Sequence, residues 1–201
     1  MKELILKVTA SKENYYLSIL SDLLVAMLFL TLALKNSTSI APMLALFIVG
    51  VIFFTFLEYA VHAWLFHKNH IAKVFIEGHK HHHQNPFSFD AMPFFMSFVI
   101  AFVLFFILQL FMDKSSAYAL VGGITMGYFN YGIMHHIMHR REFLSPYWRY
   151  MQEFHFVHHK HQDKNMGITT DIWDRIFGTY YQWNEADLKG IDKLKKIKSK
   201  S

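Results

Sequence analysis

Cysteine is absent from the 201 residues of the chain. That absence excludes a disulfide scaffold, a thiolate metal site and a cysteine nucleophile. A bound metal must therefore be held by imidazole, carboxylate, amide or backbone oxygen. Charge is also sparse: 17% of residues are charged and the formal net charge is only +5. The basic residues form no stripe interleaved with stacking aromatics, so a nucleic-acid binder is disfavoured. They lie beside apolar runs instead, as at a membrane surface. No long low-complexity segment is present. The first apolar run has no clear small-residue cleavage site and leads straight into a second run, which argues against a secretory signal.

Hydrocarbon is what the chain has in excess, with 53% hydrophobic residues and 21 Phe. Four runs stand out, at 18–34, 40–57, 91–112 and 116–134. Each is near the ~20 residues a helix needs to cross a ~30 Å hydrocarbon core. The run at 91–112 is the strongest, with Gln109 its only long polar residue. The expected fold is an all-α integral membrane protein with four transmembrane helices and a histidine-rich helical cap holding a dimetal centre. Residues 1–201 are expected to form one domain, ending in a charged tail at 186–201.

An even number of crossings places the N-terminus, both histidine-bearing segments and the C-terminus on one side. Lys2, Lys7, Lys12, Lys68, Lys73, Lys80, Arg140, Arg141 and Arg149 lie on that side, against Lys35 and Lys114 on the other. The excess of positive charge marks it as cytoplasmic.

The 14 histidines are concentrated in the segments between and after the runs. "GHKHHHQNP" (78–86) alone holds four, interrupted by Lys80 and far from either end, so it is no affinity tag. The spacing reads His62-x4-His67, His79-x2-His82-His83, His135-x3-His139 and His155-x2-His158-His159. Partners at i, i+3 and i+4 share a helix face, so each trio can aim two or three imidazoles at one point. His62 and His67 stand about one and a half turns apart and need either a bend or two separate metals. Ten spaced imidazoles are enough for two ions, and neutral imidazole suits iron, zinc, copper or nickel. His70, His81, His136 and His161 fall outside the pattern, and His161 is expected to face solvent. Glu58, Glu77 and Asp163 are near enough in sequence to accept an imidazole N–H.

"EYAVHAWLFH" (58–67), "GHKHHHQNP" (78–86), "GYFNYGIMHHIMH" (127–139), "EFHFVHH" (153–159) and "NMGITTDIWDRIFGTY" (165–180) together resemble the fatty acid hydroxylase/sterol desaturase superfamily of membrane di-iron proteins. The resemblance covers about 41–181 and is closest to fatty acid and sphingolipid 2-hydroxylases. It implies metal ligation by His62, His67, His79, His82, His83, His135, His139, His155, His158 and His159. It also matches a closing stretch of Trp173, Asp174, Phe177, Gly178 and Thr179.

What the resemblance implies is O2-dependent hydroxylation of a lipid acyl chain by two Fe ions, with zinc an alternative occupant of a recovered site. The segment before the first run is too short for a haem domain of the cytochrome b5 type. A separate donor, of cytochrome b5 or ferredoxin type with its reductase, is therefore expected. Attack on a hydrocarbon C–H bond needs an oxidant, which redox-active iron can draw from O2 and zinc cannot. Two alternatives stay open. One is a sterol or carotenoid hydroxylase, or a desaturase, of the same superfamily. The other is a non-enzymatic membrane protein that binds metal or haem.

Overall fold

A computed structural model of the chain is all-α. It describes residues 8–67 and 73–189. Lys2, Lys7, Lys68, His70 and most of the expected tail lie outside the described residues. Among those described, the order is α1 (Lys12–Asn36), α2 (Ile40–Ala60), a π-helical turn (Val61–Phe66), α3 (Lys73–Gln84), α4 (Met96–Leu108), α5 (Lys114–Met138), α6 (Pro146–Lys160), α7 (Ile172–Phe177) and α8 (Glu185–Leu188). The start of the expected tail is thus folded, and Asn184 and Asp187 cap α8 reciprocally. The chain forms two compact units, Met1–Thr55 with Phe89–Gly132 and Phe56–Ser88 with Ile133–Ser201.

In the first unit, Ser11 caps α1 by accepting the Asn14 N–H at 3.1 Å. Phe29 is fully buried among Phe102, Phe105 and Tyr118. Glycine permits close backbone approach where α2 meets α5: a Cβ on Gly123 would stand 2.0 Å from the Phe47 carbonyl oxygen. Such close approach of backbones is common where small residues line apolar helix contacts. The outward faces remain apolar, as at Leu24, Ile48, Ile52 and Phe106.

Among the described residues, two helical stretches are long and apolar enough to cross a membrane, Lys12–Asn36 and Ile40–Phe66. The run at 91–112, strongest by composition, yields a helix of only 13 residues, or about 20 Å at 1.5 Å per residue. Its first part is not helical for two reasons. Proline disfavours helical backbone at the residue before it, here Met92. In addition, Asn14 ties down the segment, donating to the Met92 carbonyl and accepting from the Phe94 N–H, each at 3.0 Å. The fourth run is a 25-residue helix diluted by glycine and Asn130.

In the second unit, Pro146 opens α6 at a position where its missing N–H costs no bond. Met151, Phe154, Phe156 and Val157 are buried along α6 together with His155 and His158. Tyr59, at the end of α2, stacks on Phe177 of α7, and Trp173 packs edge-on against Phe56. The rings of Trp173, Phe177, Tyr180 and Trp183 pack on Phe56, Tyr59 and Phe154. Gly178 ends α7 with φ of 72°, a left-handed conformation that glycine adopts without strain. The reversal lets the Thr179 and Tyr180 N–H groups donate to the Asp174 carbonyl.

Candidate metal centre

The second unit brings nine of the ten spaced histidines into two groups. His62, His67, His79, His83 and His158 form one; His82, His135, His139 and His155 form the other. Within each group the candidate ligand atoms lie within 4.8 Å of one another. His159 stands beside the second group, its Nε2 3.2 Å from that of His155.

Local structure explains the sorting. Five residues of α-helix would leave His62 and His67 on different faces. The π turn has i→i+5 bonding and wider spacing per turn, so their ring centroids are only 5.1 Å apart. A bend, rather than two metals, therefore reconciles that spacing. The trios behave differently from the expectation of one point each. On α3, His79 and His83 project to the first group while His82, offset around the helix, projects to the second. On α6, His158 joins the first group and His155 the second. Each of these two helices thus serves both groups.

The nitrogen atoms converge. In the first group, His79 Nε2 lies 3.1 Å from that of His62, 2.9 Å from that of His67 and 2.9 Å from that of His83. His158 Nε2 is 3.1 Å from His83 Nε2. In the second group, the His82–His135 and His139–His155 Nε2 pairs are each 2.9 Å apart. Metal–imidazole bonds of about 2.1 Å at right angles place neighbouring nitrogens about 3.0 Å apart.

Protons cannot satisfy this packing. A neutral imidazole carries one N–H, and His62 and His158 have theirs elsewhere. His62 Nδ1 donates to the Met166 carbonyl at 2.5 Å, and His158 Nδ1 to the Lys164 carbonyl at 2.8 Å. Their Nε2 lone pairs therefore face the other rings. Charging the rings is opposed by burial, which holds His67 and His83 down at about 4 and pushes His79, His82, His155, His158 and His159 below the usual imidazole range. Neutral imidazole is the metal-binding form. The donor set fits one divalent cation in each group.

Carboxylates act one layer out, and not as expected. Among the described residues, Glu58 accepts no imidazole N–H. Its Oε1 accepts the Ile168 and Thr169 N–H groups, and its Oε2 accepts the Thr169 hydroxyl. Asp163 pairs with Lys164 at 3.8 Å. Asp174, seen in the sequence only as part of the closing stretch, accepts the Met166 and Gly167 N–H groups at 2.7 and 2.8 Å. An acid within an aromatic stretch was the available signal for it, and the structure buries it fully. Gln152, which no spacing marked, donates to the Met138 and Arg141 carbonyls and fastens the end of α5 to α6. His161 is half-buried rather than solvent-facing, 3.2 Å from Asp187.

The fatty acid hydroxylase family profile matches residues 47–179. The chain belongs to the fatty acid hydroxylase family. Its similarity to individual members is moderate. It is 32% identical to a dihydroceramide fatty acyl 2-hydroxylase of Arabidopsis thaliana, over 65% of this chain and 58% of that protein. It is 29% identical to the fatty acid 2-hydroxylase of Mus musculus, over 83% of this chain and 47% of the relative. The chain thus spans about half the length of the curated relatives it matches. A solved structure described as full-length Scs7p, with only its hydroxylase domain visible, superposes with a TM-score of 0.74 at 26% identity. That match covers 88% of this chain and 69% of that one.

Proposed function

We propose that the chain is an O2-dependent di-iron enzyme that hydroxylates a lipid acyl chain, in the manner of the fatty acid and dihydroceramide 2-hydroxylases it resembles. The observation that carries this reading is the convergence of buried and half-buried imidazoles into two groups, each shaped for one cation. All ten spaced histidines serve as ligands, with His159 completing the second set. Iron, when bound there, supplies the redox chemistry toward O2 that zinc lacks.

The chain's own residues hold the site ready. The Lys164 and Met166 carbonyls fix the Nδ1–H tautomers of His158 and His62, which leaves each Nε2 for the metal. Burial keeps the rings uncharged and excludes bulk water. In balance, one oxygen atom of O2 enters a substrate C–H bond and the other leaves as water. Two electrons come, one at a time, from a donor of cytochrome b5 or ferredoxin type, and the two protons come from water. The lipid reaches the site from the bilayer, which the chain crosses four times with the centre on the cytoplasmic side. The family match draws on both compact units, which supports reading 1–201 as one hydroxylase domain.

Lipid mass spectrometry of cells expressing the chain under isotopically heavy O2 tests this. One heavy oxygen atom on an acyl chain is expected, and none with His82→Ala. Loss of two hydrogens without oxygen would instead support a desaturase.

A further inference from the structure

Among the described residues, neither Asp174 nor Glu58 accepts a hydrogen bond from a histidine, yet together they bind four consecutive main-chain N–H groups, those of residues 166–169. The middle of that segment is one peptide plane held at both ends. The Gly167 N–H donates to Asp174 Oδ2 at 2.8 Å, and the Met166 carbonyl of the same peptide accepts from His62 Nδ1 at 2.5 Å. A peptide whose N–H is bound to an anion is a stronger acceptor at its carbonyl, because hydrogen bonds in a chain polarise one another.

Glu58 holds the next two N–H groups and the Thr169 hydroxyl. Asn165 sets the other side, with φ of 54° and its side chain paired to the Tyr181 main chain. The Lys164 carbonyl, which accepts from His158, enters the same segment. Both supported rings belong to the first group. In the second group, His155 Nδ1 is buried and has no partner, as is Nδ1 of the adjacent His159; in the first, His83 Nδ1 is likewise unpartnered, so the support is confined to His62 and His158.

We propose that Asp174 and Glu58 are positioning residues for the first metal site alone: a carboxylate–peptide–histidine chain orients His62, and strengthens it as a ligand, without direct contact. The proposal rests on the reading that each imidazole group binds a metal. It makes the two sites unequal, with the first the tighter. A carboxylate bonded directly to a ligating imidazole is a frequent arrangement. Here one peptide bond is interposed, so the charge acts through a main-chain carbonyl that no side-chain substitution at position 166 removes.

The test is titration of the purified, metal-stripped full chain with Co(II), followed by ligand-field absorption and elemental analysis. His62→Ala and His82→Ala identify the signal of each site. Asp174→Asn is expected to weaken the site that His62→Ala removes by at least tenfold and to leave the other within twofold. Glu58→Gln should act in the same direction. Asp171→Asn, whose carboxylate bonds to the Tyr150 and Arg175 side chains, should leave both sites within twofold. If Asp174→Asn fails to accumulate, Thr179→Val carries the test, since the Thr179 hydroxyl donates to Asp174 Oδ1 at 2.7 Å; a weakening of at least threefold confined to the first site is expected. Parental affinity at that site, or equal loss at both, overturns the proposal. Retention of two ions by both histidine variants would instead remove the dimetal reading beneath it.

Discussion

His139 and His155 face each other with their Nε2 atoms 2.9 Å apart, and three residues before His155 the Gln152 amide donates to two main-chain carbonyls at the end of α5. One fully packed amide therefore sets the spacing of two rings from different helices.

Gln152→Leu should loosen that junction. The Met138 and Arg141 carbonyls would lose their donor, at a cost of about 1–3 kcal/mol for buried groups left unmade. A lower melting temperature in detergent is expected, with reduced metal content at the second group. Parental stability together with full metal loading would show that the amide does not position His139.

His82 and His158 serve different groups. His82→Ala and His158→Ala should each remove about one ion per chain and each abolish lipid oxidation. The double variant should lose both ions with no further loss of activity, because residues acting as a unit are non-additive. His161→Ala, which gives up contacts with Asp187 and the Tyr181 ring and none with the ten spaced histidines, should keep its metal and most of its activity. A cost at His161 equal to that at His158 would contradict the division between ligands and bystanders.

Gly123 has no room for a side chain, with the Phe47 carbonyl oxygen 2.0 Å from where a Cβ would stand. Gly123→Ala should destabilise the first unit by about 1–3 kcal/mol, the usual range for overpacking. Thermal unfolding in detergent would register it. An unchanged midpoint would mean that α2 and α5 do not meet as closely as described.

The lack of native cysteine makes topology testable with single introduced thiols. Thiols at positions 80 and 160 should react with an impermeant maleimide from the cytoplasmic side only. Thiols at positions 36 and 113 should react from the opposite side only. Labelling of 36 and 80 from the same side would rule out four crossings.

How legible all this was in the sequence depends on how local the signal is. Helical class and the histidine spacing follow from short-range periodicity, and both survive in the structure. The π turn at Val61–Phe66 was half legible: the i, i+5 spacing demanded a bend, but no residue type marks its kind. The division of each trio between two groups was not, since it depends on how α3 and α6 are turned about their axes. Composition overrated the run at 91–112, where Asn14, distant in sequence, holds the chain out of helix. Glu58 bonds to main-chain atoms 110 residues along the chain, and Asp174 and Gln152 to main-chain atoms 8 and 14 residues back, where no side-chain identity marks the partner.

The most direct measurement is the metal-to-chain ratio of an iron-replete preparation, with iron and zinc summed because imidazole sites accept both. Two imidazole groups, each holding its own cation, predict two ions per chain. One ion, or none, would contradict that claim.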